Sequence, residues 1–218
     1  MKSIARAPVV FPALAQARWA EVDLDRMSRL EPRATGKNPL LDHATCDAFV
    51  RTVASRLGAD FTYGGYGEDR AHLWAGHYMA GGRTVHLGID LNVPAGTSVA
   101  APASCRVARV HRDPDQGGGW GGYVVLALDE AHHGCLHVVL GHLAHAGLPE
   151  LGAKLARGGI IGEVGQPREN GNWFPHLHVQ CFDAGMEKAY APAYELMDGY
   201  GAREDLARHP DPTGLIMA

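Results

Sequence analysis

The sequence predicts a mainly β fold: a compact antiparallel β domain with an N-terminal helical appendage. Three observations predict it. The chain holds 28 glycines and 13 prolines among 218 residues, a load of turn formers that implies many short strands. From Phe61 onward, apolar and β-branched residues fall in short runs at 83–93, 98–101, 106–111, 123–128, 136–140, 160–164 and 177–182. Pro94-Ala95-Gly96, Gly117-Gly118-Gly119, Gly121-Gly122 and Gly158-Gly159 separate them. Such spacing reads as antiparallel sheet. Before Phe61 the apolar spacing is helical instead.

Taken in order, residues 13–30 place Leu14, Ala17, Val22, Leu24, Met27 and Leu30 among charges, which predicts an amphipathic helix ended by Glu31-Pro32. A Pro/Gly-punctuated link follows to residue 41. Asp42 reads as an N-cap for a second helix over 43–57, with Phe49, Val50, Val53 and Leu57 on one side and Gly58 as its stop. The two helices, within 1–60, are expected to pack on the domain or to form a homodimer contact. Residues 61–185 make the β domain. Residues 186–218 make a polar tail, with a short helix near 193–197 and an irregular end.

Net charge is −4 and charged residues make up 20% of the chain. That balance gives no basic footprint for nucleic acid. No apolar run approaches membrane-span length, and Lys2, Arg6 and Pro8 interrupt any signal-like start. The expected location is the cytoplasm, with no membrane partner. Cys46, Cys105, Cys135 and Cys181 form no CxxC pair and are expected to be reduced, Cys181 as a buried thiol.

Two stretches carry the chemistry. In His86-Leu-Gly-Ile-Asp90, residues two apart share a face of a strand, so His86, Gly88 and Asp90 project together and Gly88 leaves space between the polar pair. In His176-Leu-His178 two imidazoles share a face. Two histidines and one aspartate match the donor set of an open zinc site, which keeps a fourth position for water. His72, Trp74, His77 and Tyr78 precede the first stretch, and Asn170, Asn172 and Trp173 the second. They are candidates for substrate contact or plain packing. The glycine run 117–122 lacks a following Lys-Ser/Thr, so it is no phosphate loop. It is expected to be a hairpin loop.

Several motifs in fixed order carry a resemblance: His86-Leu-Gly-Ile-Asp90-Leu, Pro94-Ala-Gly96-Thr, Val99-Ala-Ala-Pro102, Gly141-His142-Leu143, Gly162-Glu-Val-Gly165 and His176-Leu-His178. Over about 80–182 the chain resembles the lysostaphin/LytM-type zinc metallopeptidases, endopeptidases of Gly-Gly or D,D peptide bonds. The resemblance implies the duplicated hybrid motif fold and a Zn2+ cofactor. It implies His86, Asp90 and His178 as metal ligands, His142 and His176 as catalytic histidines, and a zinc-activated water cleaving a peptide or amide bond. Leu140 stands where the family has Tyr, Cys105 where it has Gly, and Gln180 where it often has Glu. Glu68-Asp-Arg70 and Glu169-Asn-Gly-Asn-Trp173 also resemble the peptidase-like domain of intracellular phosphotransferase–peptidase–aminotransferase fusions. That likeness implies an intracellular substrate: a small amide, a peptide or an amino-acid derivative. A zinc enzyme acting on a metabolite and a non-catalytic binding module stay open as alternatives.

Overall fold

The computed structural model describes residues 4–5, 7–29, 38–75, 82–190 and 197–217. Its strands are β1 (Ile4–Ala5), β2 (Trp19–Glu21), β3 (Phe61–Gly64), β4 (Val85–His86), β5 (Ile89–Asn92), β6 (Ser98–Ala100), β7 (Cys105–Arg112), β8 (Gly122–His132), β9 (Cys135–Leu143), β10 (Lys154–Leu155), β11 (Ile160–Glu163), β12 (Leu177–Phe182) and β13 (Tyr200–Gly201). The helices are α1 (Leu24–Ser28), α2 (His43–Arg56), α3 (Ala184–Tyr190) and α4 (Thr213–Ile216). The expected mainly β fold is present. Nine strands form one sheet in the order β1-β2-β3-β5-β12-β9-β8-β7-β10, and β11-β6 and β13-β4 form two small pairs. Pairing is antiparallel except between β2 and β3. No helix among the described residues is long and apolar enough to cross a membrane.

Alternation explains how the sheet is buried. Leu177, Val179 and Cys181 of β12 enter the main core with Val124, Leu126, Val138 and Leu140. His178 and Gln180 therefore lie on the other face. That face is buried as well: Tyr123, Val125, Val139 and Phe182 pack there with Met197.

The N-terminal region departs from the expected long helix over 13–30. It forms a 3-10 turn at Pro12–Leu14, then β2, then the short α1. Trp19 decides this. It is fully buried, stacks on Phe11 at 5.8 Å and meets Phe61 at 5.2 Å. Parallel pairing of Trp19 with Phe61 then satisfies the backbone, so tertiary contact overrides helical spacing. α2 forms as expected, with the Asp42 carboxylate accepting from Thr45 N at 2.8 Å and Gly58 at φ +68°. Its apolar face is occupied internally: Cys46, Val50 and Val53 pack with Leu40, Trp74, Trp173 and Phe174.

The tail is more ordered than its composition implies. β13 pairs with β4, and Leu215 and Ile216 of α4 are buried in the main core. The helix expected near 193–197 falls largely outside the described residues. Cysteine usage is also corrected: Cys135 and Cys181 form a disulfide, while Cys46 and Cys105 are buried thiols. The bonded pair is 46 residues apart in sequence. The adjacency of β9 and β12 brings them together, with Cα atoms at 5.3 Å. Disulfides persist in oxidising compartments, so one argument for a cytoplasmic location falls away.

Candidate metal centre

One cross-strand row places the polar stretches. Asp90 of β5 lies opposite His178 of β12, and His178 lies opposite Gly141 of β9. His86 reaches the row differently. The chain does not stay extended from His86 to Asp90: the strand breaks at Leu87–Gly88, and β4 leaves the main sheet to pair with β13. The two side chains still meet.

Three donor atoms converge. His86 Nε2 lies 3.0 Å from His178 Nδ1, His178 Nδ1 lies 3.1 Å from Asp90 Oδ1, and His86 Nε2 lies 3.4 Å from Asp90 Oδ1. All three residues are buried, and together they are the group of ligand atoms able to hold a metal among the described residues. Their remaining polar atoms set the tautomers. His86 Nδ1 donates to Gly65 O at 3.0 Å, which leaves Nε2 a bare acceptor. Gln180 donates its amide to Asp198 O at 3.2 Å and so turns Oε1 to His178 Nε2 at 3.1 Å, which leaves Nδ1 bare. Three bare acceptors facing one another repel unless a cation sits among them. With zinc bonds of about 2.0–2.1 Å, the edge of a tetrahedral site is about 3.3–3.4 Å. The donor triangle fits a single such ion.

Electrostatics agree with that fit. Burial pulls His86 down to about 3, with the Arg70 charge adding to the shift, so the imidazole is neutral and ready to ligate. Burial opposes the Asp90 carboxylate, yet His86, Arg70 and His176 outweigh it and hold its pKa well below the ordinary value. Burial also lowers His176, and it lowers His142 well below its ordinary value with His176 and His178 adding.

Gly88 is where the ligands need a missing side chain, though not in the way the spacing implied. A Cβ there would come closest to the backbone oxygen of Val179 and lie 2.8 Å from His178 Nε2; the space is taken by β12, its backbone and the imidazole together. Gly88→Ala is expected to cost about 1–3 kcal/mol as overpacking and to displace His178. A lowered thermal midpoint together with weakened metal uptake would verify this.

His142 and His176 stand beside the triad, with ring centroids 4.4 Å apart. His176 Nδ1 donates to Phe174 O at 2.8 Å, and its Nε2 lies 3.7 Å from Asp90 Oδ1. His142, the last residue but one of β9, has φ +62°. That conformation costs a non-glycine residue on the order of 1–3 kcal/mol. Its N–H donates to Trp120 O at 2.9 Å and its carbonyl accepts from Gly165 N at 2.8 Å, and these bonds hold the turn in place.

One pocket is lined by all five residues. Trp173 lines it, with its indole donating to Leu40 O at 2.8 Å. Asn172 is exposed at φ +68° and does not line it, whereas Asn170 does. His77 and Tyr78 lie outside the described residues. Trp74 lines the pocket.

Sequence reasoning missed Trp120, Arg70 and the Asp198-Gly199-Tyr200 wall. Trp120 sits in the glycine loop between β7 and β8, and its ring lies 5.2 Å from that of His178. It reaches there because Gly141 has no side chain: a Cβ would come 2.8 Å from the indole. A lone Trp among six glycine-rich positions was the available signal. Tyr200 is brought in by long-range packing and left none; Arg70 stood in the Glu68-Asp-Arg70 motif, which marked a resemblance but no place in the site.

No curated protein matches the chain. Among solved structures, similarity is found to the catalytic domain of lysostaphin from Staphylococcus simulans, at 20% identity over 73% of this chain and 94% of that one, with TM-score 0.46. The catalytic domain of the prophage-encoded M23 protein EnpA from Enterococcus faecalis matches at 22% identity over 59% of this chain and 76% of that one, with TM-score 0.40. A Pseudomonas aeruginosa protein described as an M23 peptidase matches at 24% identity over 61% of this chain, with TM-score 0.38; the chain spans 44% of that protein. The stretch that carries the three converging donors and both neighbouring histidines, residues 84–190, matches Peptidase family M23 over just under half of the chain.

Proposed function

We propose that this protein is a zinc-dependent hydrolase of peptide or amide bonds. The observation that carries the reading is the convergence of His86 Nε2, Asp90 Oδ1 and His178 Nδ1 beside two further histidines in one pocket. The match of residues 84–190 to Peptidase family M23 supports it.

His86, Asp90 and His178 would hold the ion. Bound zinc supplies a Lewis acid and brings the pKa of a ligated water towards neutrality. The chain's own residues do the rest. His176, anchored through Nδ1 to Phe174 O, presents a basic Nε2 and takes the proton of the attacking water. His142, neutral and held at 4.4 Å from His176, stabilises the developing oxyanion. Leu140 is fully buried in the main core and adds no donor. Trp120 and Trp173 wall the pocket and exclude water.

A second reading narrows the substrate to a small amide or amino-acid derivative. The walls that flank the two histidine-bearing strands favour it: they close aromatic side chains around the donor atoms. Trp74, Asp198, Gly199 and Tyr200 complete that wall, and all four lie outside the matched stretch.

Metal-depleted protein is expected to lose hydrolysis of a mixed library of short peptides and small amides, and to regain it with one zinc per chain. Cleavage of small amides alone would select the second reading. Cleavage untouched by depletion would reject the zinc mechanism, and zinc uptake without any cleavage would support a binding module.

A further inference from the structure

Arg70 is 1% exposed and lies outside the stretch that matches the peptidase family. A buried guanidinium is costly unless every charge around it is answered. Here three acceptors answer it. Its Nη1 lies 2.7 Å from Asp90 Oδ2 as a charge contact and not an aligned hydrogen bond. The same Nη1 donates to Tyr200 Oη at 2.9 Å, and Nε donates to Glu68 Oε2 at 3.0 Å. Glu68 is fixed in turn by Asp25 N. The backbone of Arg70 is pinned as well, N donating to Thr84 O at 2.9 Å and O accepting from Trp74 N at 2.9 Å.

The consequence falls on one carboxylate. Asp90 has two chemically equal oxygens. Oδ2 faces Arg70, and Oδ1 faces His86 and His178. We propose that Arg70 is a positioning residue for the metal carboxylate: it engages Oδ2 so that Oδ1 alone is offered beside the two imidazoles. The proposal rests on the metal-site reading above. Glu68 balances Arg70, so the charge that faces the imidazoles stays that of Asp90. Tyr200 ties the same guanidinium to the C-terminal wall of the pocket.

A bland alternative is that Arg70 only neutralises buried Glu68. The two roles separate in the variant E68Q/R70M, which removes both charges and leaves nothing to neutralise. Affinity is read by competition with a chromophoric chelator, ligand geometry by the visible spectrum of the cobalt-substituted protein, and folding by circular dichroism. Loss of a partner that orients a metal ligand weakens binding by about 10–100-fold. Folded E68Q/R70M is expected to bind zinc that much more weakly, with an altered cobalt spectrum. R70K keeps the charge and so the fold, but loses the planar fork; several-fold weaker binding is expected, and this variant decides if the double variant does not fold. Wild-type affinity and spectrum in either folded variant would overturn the proposal. A wild-type protein that takes up neither zinc nor cobalt would defeat the metal-site reading itself, and this proposal with it.

Discussion

Alanine at His178 is expected to abolish stoichiometric metal binding and, with it, hydrolysis. His178 sits at the middle of the donor triangle, 3.0 Å from His86 Nε2 and 3.1 Å from Asp90 Oδ1. It also joins two strands of the row, β5 and β9. Removing it leaves two ligands, too few for an open tetrahedral site. The affinity loss should exceed the ~10–100-fold that loss of an orienting partner alone costs. Elemental analysis of purified wild type and variant, run beside the hydrolysis assay, measures both effects. The fold should survive, since the core face of β12 is Leu177, Val179 and Cys181. A variant that stays folded and keeps one tightly held zinc would refute the assigned ligand set.

Alanine at His142 or at His176 is expected to leave metal content unchanged while lowering kcat by about 10²–10⁴-fold, the usual worth of general acid–base assistance. Neither residue belongs to the donor triangle, yet their rings lie 4.4 Å apart beside it. Burial lowers both pKa values, and a bound cation lowers them further. Both rings are therefore neutral at pH 7, and His176 is available as a base. The activity of the wild type should persist as pH falls to the ordinary histidine value near 6.5 and decline only below it. A pH–rate profile whose acid limb lies above that value, or zinc-loaded alanine variants with undiminished kcat, would reject these roles.

Local pattern carried much of this protein. The strands β5 to β9, β11 and β12 were legible because their faces alternate with period two and glycine or proline closes each run. α2 was legible from Asp42 and Gly58, whose cap geometry depends on a few neighbouring residues. The approach of His86, Asp90, His142, His176 and His178 to one another was legible through motif order. What failed was non-local. Trp19 lies in a helix-like spacing, yet it pairs with Phe61, and nothing within a helical window reveals that partner. Cys135 and Cys181 carry no spacing signal and meet only because β9 and β12 are neighbours.

The site divides along the same line. Sequence by itself determined which side chains are chemically able to take a metal or a proton, since residue type and order within a strand are local properties. Only the tertiary structure decided how they are held. The break after His86, the left-handed turn at His142, Trp120 in the space above Gly141 and Arg70 on Asp90 Oδ2 each depend on contacts across distant segments. Such contacts come from packing, in which each side chain takes the space that its neighbours leave.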